Sequence, residues 1–174
     1  MPGWRKLDER LTFAGRYRRV LTRRFGRPDG SVGDYEVKLE DAVVAMVALT
    51  EDGDVLLVRQ FRVGPEAELL ELPGGIVEDG QGALETARRE LLEETGHDGE
   101  LEHVADIVDC GYSTRLKHAF VARGCRPVAE PAPHDGEFLE VVRLSLPEFR
   151  EHLRSGRLTD VDVGYLGLDR LGLL

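Results

Sequence analysis

Cysteine is scarce: only Cys110 and Cys125 occur in 174 residues. Two thiols at that spacing make neither a disulfide framework nor a zinc site, so both are expected to be free. Long apolar runs are missing too. None approaches the roughly 20 residues that span a bilayer, and no membrane partner is expected. No apolar stretch follows Met1-Pro2-Gly3-Trp4-Arg5-Lys6, so the N-terminus is not read as a signal peptide. A cytoplasmic location is the expectation. There is no basic surplus: 23 Lys and Arg face 33 Asp and Glu, a formal net charge of −10. Nucleic-acid binders usually show a basic face, and this balance argues against that class. The chain also lacks a G-x-x-x-x-G-K-[ST] loop, which removes P-loop kinases and ATPases. It shows no internal repeat and no low-complexity tract.

What is present suits one domain with a real core, with 41% hydrophobic and 32% charged residues. The charge is uneven. Residues 5–27 are strongly basic (Arg16, Arg18, Arg19, Arg23, Arg24, Arg27), whereas acidic residues crowd 66–102. The basic stretch reads as a solvated strand surface, or as a lure for an anionic substrate or partner.

Hydrophobic periodicity predicts strands over Arg16–Phe25 and Gly33–Leu39, joined at Pro28-Asp29-Gly30. A buried strand over Asp41–Thr50 turns at Glu51-Asp52-Gly53-Asp54 and returns over Val55–Arg59. Leu69–Leu72 is a short extended piece that ends at Pro73-Gly74-Gly75. The period then changes. Leu84, Ala87 and Leu91 fall on one helical stripe from Leu84 to Thr95, with Gly96 at the C-cap. Strands are expected at 101–109, 117–123 and 138–144, then a helix over Leu146–Leu153 that stops near Gly156. Asp160–Leu173 is a weaker helix, disfavoured by Gly164, Gly167 and Gly172. Arg126–Gly136 is Pro-rich and reads as an exposed loop. The element order predicts an α+β fold, a mixed sheet with helices packed on it.

The informative segment is Gly75–Gly96. Glu90, Glu93 and Glu94 stand at i, i+3 and i+4, so Glu90 and Glu94 stack one turn apart. At 100° per residue, Glu94 falls about 50° from the centre of the apolar stripe and should be partly buried. Such a carboxylate beside another is costly unless something positive joins them. One solution is a hard divalent cation: Mg²⁺ takes oxygen ligands, often carboxylates plus substrate phosphates. The other is a solvated acidic face with Arg–Glu pairs, such as Glu85 with Arg88 and Arg89, or Glu93 with Arg89. Pro73-Gly74-Gly75 and Gly80-Gln81-Gly82 let backbone approach a ligand, including a carbonyl toward a metal. These parts suit diphosphate hydrolysis.

The segment resembles the Nudix box, G-x5-E-x7-R-E-U-x-E-E-x-G-U with U apolar. Gly75, Arg89, Glu90, Leu91, Glu93, Glu94 and Gly96 match at the right spacing. Gln81 stands where the first Glu is expected, and His97 replaces the last apolar residue. In the family that Glu braces the loop against the Arg, and Gln81 is expected to hydrogen-bond Arg89 without the charge. The likeness covers nearly the whole chain and is to the ADP-ribose (ADP-sugar) pyrophosphatase branch. Gln60-Phe61-Arg62 resembles its Q-[YF]-R motif, and Glu71-Leu72-Pro73-Gly74-Gly75 its E-[LF]-P-[AG]-G lead into the box. Gly111-Tyr112-Ser113 is similar to its P-G-[FYL]-[ST] loop, with Cys110 for the proline and Arg115 where some members carry Glu. Asp135-Gly136-Glu137-Phe138-Leu139-Glu140-Val141 resembles its late acidic loop.

The resemblance implies a Nudix fold, an α/β/α sandwich. Residues 1–40 would be a strand arm exchanged in a homodimer, and 41–174 the hydrolase domain. It implies Mg²⁺, or Mn²⁺ in its place, held by Glu90 and Glu94, with Glu93 and the Gly74 carbonyl completing the set. Glu137 would be the general base, with Asp135 the alternative; Glu93 counts with this catalytic group as well as with the ligands. Gln60 and Arg62 would bind substrate, Arg62 through its planar fork on phosphate oxygens. Trp4 and Tyr35 would sandwich the base, although a lone Trp in a polar arm also reads as a packing anchor. The implied reaction is ADP-ribose to AMP and ribose 5-phosphate. GDP-mannose or another nucleotide sugar is the alternative substrate, and a non-catalytic nucleotide sensor the alternative role.

Overall fold

The computed structural model describes residues 3–134 and 136–174. The chain forms two compact units, 1–42 with 108–116 and 43–107 with 117–174.

The first unit is a three-stranded antiparallel sheet in the order β1 (Arg5–Ala14), β2 (Arg19–Gly26), β3 (Val32–Lys38). Arg16–Arg18, expected in a strand, instead form the β1–β2 turn, closed by Gly15 N–H to Arg18 C=O at 2.8 Å. Asp29 caps the β2–β3 turn by accepting the Ser31 N–H at 2.9 Å, and Gly30 takes φ +83° there. Three of the six arginines named in the basic stretch pair with acids of this unit: Arg19 with Asp41, Arg23 with Glu9 and Arg24 with Asp34. All ten residues of β1 are exposed, including Leu7, Leu11 and Phe13. The 108–116 segment returns to this sheet. Lys38 N–H reaches the Tyr112 carbonyl at 2.8 Å, and Glu40 collects Ser113 (2.7 Å), Lys38 (2.9 Å) and Arg115 (3.4 Å).

The second unit is built on a mixed sheet, β10 (Leu139–Leu144), β5 (Val55–Arg62), β4 (Val43–Thr50), β9 (Leu116–Pro127), β8 (His97–Val108). β4 and β9 run parallel, and β5 is antiparallel to both β4 and β10. Strand alternation divides the core. Val44, Met46, Ala48, Phe120 and Ala122 pack against α1 (Ala83–Thr95), where Ala87 and Leu91 meet them. Ala45, Val47, Ala119 and Val121 pack on the other face with Phe149 and Leu153 of α2 (Leu146–Ser155) and Val163 and Leu168 of α3 (Val161–Leu171). Helices on both faces of one sheet make the α/β/α sandwich within an α+β chain.

Two details depart from expectation. Leu84, expected on the buried stripe of α1, is exposed; the buried face is Thr86, Ala87, Glu90, Leu91, Glu94 and Thr95. Of the three glycines expected to weaken the last helix, Gly172 is its C-cap and the other two are its contact points. A Cβ on Gly164 would overlap Leu153, and one on Gly167 would overlap Val47. Loss of helix propensity, about 1 kcal/mol per glycine, is offset by the close packing it permits. Among the described residues no helix is long and apolar enough to cross a membrane.

The sheet forks beside α1. β4 pairs β5 only at Ala48 and Leu49, and its other end, Val43–Ala45, pairs β7 (Gly74–Ile76). β5 continues instead with β6 (Ala67–Glu71). Leu72-Pro73 bridges the fork, and Met46 N–H holds the Pro73 carbonyl at 3.0 Å. The glycines of the sequence motif thus line a split in the sheet.

Candidate active site

Helix α1 sets the carboxylates. Glu90 and Glu94 are 6% and 7% exposed, so the face that packs on the sheet carries two acids. Glu94 Oε2 accepts the Gly74 N–H at 2.9 Å. Burial pushes Glu94 up to about 8 despite that bond; Glu90 and Glu137 push the same way and Arg62 opposes. Burial also raises Glu90, with Arg89 opposing. Gly75 lies so close that any Cβ there would overlap the Glu90 carboxylate, and one on Gly74 would overlap the Val44 carbonyl. Bare backbone at Gly74 is therefore a steric requirement of its pairing with β4, and at Gly75 it leaves the Glu90 carboxylate its place.

Arg89 crosses this face. Its Nη2 donates to Glu90 Oε1 at 2.8 Å and its Nη1 to Glu93 Oε2 at 2.7 Å, the Glu93 pair anticipated from spacing. Arg88 and Arg89 do not take Glu85 as expected, for Arg88 reaches Asp98 at 2.8 Å. The expected Gln81–Arg89 bond is not formed either. Gln81 donates to Glu78 and accepts from Thr86, both at 3.3 Å. The Arg89 Nε is buried and has no hydrogen-bond partner among the described residues. A neutral amide served by two nearer partners leaves that donor orphaned.

Three further segments converge here. Arg62, at the end of β5, donates from Nε to Glu71 Oε2 at 2.5 Å. Glu71 is 1% exposed and also accepts the Thr159 hydroxyl at 2.6 Å. Gln60 lies two residues earlier, with Leu139 and Leu69 as its strand neighbours. The loop after β9 is stitched to α1: Ala132 N–H reaches the Glu93 carbonyl at 2.8 Å, and the N–H groups of Val128 and Ala129 reach Gly96. That loop carries Glu137, whose carboxylate accepts the His134 N–H at 3.2 Å. The His134 ring sits 3.2 Å from Arg89 Nη1 and 3.5 Å from Glu93. Asp135 lies outside the described residues.

Glu90, Glu93, Glu94, Gly74, Arg62 and Glu137 are thus gathered around one helix turn. Glu71, noted in the sequence only as the start of the motif leading into the box, joins them, as do Thr159 and His134, which were not singled out. Thr159 lies 88 residues from Glu71, so no local pattern signals it. The donors are all oxygen and hard, and burial favours the protonated form of two of them, Glu90 and Glu94. They fit a hard divalent cation such as Mg²⁺.

In the first unit, Trp4 and Tyr35 meet at 6.1 Å with planes tilted 59°, and both pack on Phe25. Within one chain they form an aromatic cluster rather than two parallel walls around a base. Arg27 reinforces it, donating from Nε to the Tyr35 hydroxyl at 2.9 Å. Both cysteines are free. Burial pushes the Cys125 thiol up to about 12, which leaves it unreactive.

A family model described as the NUDIX domain matches residues 38–160. An ADP-ribose pyrophosphatase of Bacillus subtilis is 30% identical over 141 residues, 79% of this chain and 76% of that protein. A methanol dehydrogenase activator of Bacillus methanolicus is 29% identical over 163 residues, 90% of this chain and 88% of that protein. A solved structure described as an ADP compounds hydrolase superposes with a TM-score of 0.81 at 22% identity, covering 100% of this chain and 98% of that chain. At that identity the superposition speaks for the fold alone. The domain match and the sequence relatives, together with the carboxylate turn set against bare glycine backbone, identify the chain as a member of the Nudix hydrolase family, on the branch of the ADP-ribose pyrophosphatases.

Proposed function

We propose that the protein hydrolyses the diphosphate of a nucleoside diphosphate sugar in a Mg²⁺-dependent reaction, with ADP-ribose, yielding AMP and ribose 5-phosphate, as the preferred substrate. The observation that carries this reading is the buried Glu90–Glu94 pair against Gly74 and Gly75. Two buried carboxylates one turn apart make sense when a cation shares them. Glu90 and Glu94 are the principal ligands, with Glu93 and the Gly74 carbonyl beside them; Mn²⁺ would be accepted by the same oxygens. A bound cation would neutralise phosphate charge and acidify the attacking water.

The chain's own residues do the rest. Arg62 grips the diphosphate or the terminal phosphate, steadied by Glu71. Glu137 accepts the proton of the attacking water, with Asp135 as the other candidate in that loop. Gln60 contributes to substrate contact at the end of β5. The exposed strand β1, with Leu7, Leu11 and Phe13 open to solvent, supports a homodimer in which residues 1–40 pack on a second copy. In that dimer Trp4 and Tyr35 would stack on the base from two subunits.

The test is incubation with ADP-ribose and with GDP-mannose, with and without Mg²⁺, scored for nucleoside monophosphate. Cleavage of GDP-mannose alone would move the substrate assignment. Tight nucleotide binding without turnover would favour a sensor, a reading that rests on Gln81 in place of the box Glu and on Arg115 where some members carry Glu. Unchanged rates in both Glu90→Gln and Glu94→Gln would remove the metal assignment.

A further inference from the structure

Outside the carboxylate helix, the second unit gathers another set of metal-type side chains. His103 and Asp106 on β8 and His118 on β9 each offer a ligand atom, all within 4.8 Å of one another. Asp106 Oδ1 is the hub, 2.7 Å from His103 Nε2 and 2.7 Å from His118 Nδ1. Regular alternation would put residues 103 and 106 on opposite faces of the strand. Val104 and Ile107, also three apart, both pack on the α2–α3 side, so the alternation slips by one residue between them. That slip turns Asp106 toward His103. The His103 ring is edge-on to Phe120 at 5.3 Å, and Phe120 belongs to the core beneath α1. The His118 side chain is largely buried, whereas those of His103 and Asp106 are about half exposed. Two ligands are therefore seated by packing, and the cluster opens to solvent.

We propose that His103, Asp106 and His118 form a binding site for a divalent transition metal, Zn²⁺ foremost, separate from the all-oxygen site on α1. Imidazole nitrogens suit Zn²⁺, Ni²⁺ and Cu²⁺ and are poor partners for Mg²⁺. Two histidines and one carboxylate leave a coordination position for water. Zn–N and Zn–O bonds of about 2.0–2.2 Å put tetrahedral donors about 3.3 Å apart. The ion thus needs Asp106 Oδ1 to draw back from each histidine nitrogen by about half an ångström, within the reach of exposed rotamers. It replaces the two Asp–His hydrogen bonds and pins β8, the edge strand of the sheet, to β9.

The experiment titrates ZnCl2 into protein saturated with Mg²⁺ and follows the ring ¹H–¹⁵N signals of the five histidines. The expected result is that His103 and His118 shift together and saturate at one equivalent. Asp106→Asn and His103→Ala should each weaken Zn²⁺ binding at least about tenfold, the loss typical of even a supporting group at a metal site, and leave Mg²⁺-dependent turnover unchanged. Zn²⁺ acting at the acidic site would move His134, which stands beside Glu93. A shift confined to His134, or an affinity untouched by both substitutions, overturns the proposal and leaves the cluster as a hydrogen-bonded Asp–His pair of pairs.

Discussion

Arg62 is held at its Nε by Glu71, a carboxylate buried beneath it, and Glu71 is held in turn by the hydroxyl of Thr159. An arginine fixed at Nε presents its fork in one orientation, and a planar fork discriminates by orientation. Glu71→Gln keeps the shape and removes the charge. A hydrogen bond to a charged group is worth about 1.5–3 kcal/mol, so kcat/KM for a nucleoside diphosphate sugar should fall at least about tenfold, mostly through KM. In an Arg62→Lys background the same change should add little. Steady-state kinetics of the two single variants and the double variant check this; an unchanged KM in Glu71→Gln would separate Glu71 from substrate binding.

The acidic pair sets a pH dependence of known sign. Glu94 is pushed up to about 8 by burial, and Glu90 is raised as well. A carboxyl raised in the folded state stabilises it fully below the unfolded value, near pH 4.5, and that stability is lost as pH climbs through the folded value. In EDTA, Tm should therefore fall from about pH 5 to about pH 9. Mg²⁺ needs the ionised form, so it should raise Tm more at the alkaline end. Glu94→Gln should flatten the EDTA profile and reduce the response to Mg²⁺. Thermal unfolding across pH, with and without the ion, decides the matter, and identical slopes for parent and Glu94→Gln would contradict it.

Arg89 Nε is a buried donor without a partner among the described residues, and the resemblance implies a carboxylate at position 81 as its brace. Gln81→Glu should supply an acceptor and recover about 1–3 kcal/mol of desolvation cost, seen as a higher Tm. A lowered Tm would mean that repulsion with Glu78 and Glu90 outweighs the new bond.

Glu137 sits in a loop that is tied to α1 at Glu93 and Gly96, and its charge acts on Glu94. Glu137→Gln should lower kcat about 10²–10⁴-fold, the span of general base catalysis, with little change in Mg²⁺ affinity. Full activity in this variant alongside loss in Asp135→Asn would transfer the role to Asp135.

Gly167 touches Val47 across the α3 interface. Gly167→Ala gains helix propensity of about 1 kcal/mol and yet should destabilise the protein by about 1–3 kcal/mol, because the methyl has no room. Chemical denaturation measures the sign directly.

Local pattern made much of this legible. The 3.6-residue period marked α1, and the strict spacing of Gly75, Arg89, Glu90, Glu93, Glu94 and Gly96 marked its chemistry. The helix expected over Leu146–Leu153 with a stop near Gly156 is α2, closed by Gly156 at its C-cap. Elsewhere local signals were weak. β1 has no buried side, so it lacks the alternation that betrays a strand. β7 is three residues long and two are glycine, which carries no side-chain pattern at all. Leu84 matched the helical period but is exposed, while Ala83 beside it packs on the core.

The sequence by itself determined which chemistry is on offer, because spacing on one helix fixes which carboxylates share a turn, and the glycine run ahead of it leaves backbone bare. Only the tertiary structure decided who meets whom across the chain: Thr159 with Glu71, His134 with Arg89, Gly74 with Glu94, and His118 with Asp106. It also decided that Gln81 turns away from Arg89. The reason is physical. Helix and strand periods are properties of a few consecutive residues, whereas these meetings depend on how the sheet forks and how its two faces are packed, which no short stretch of chain encodes.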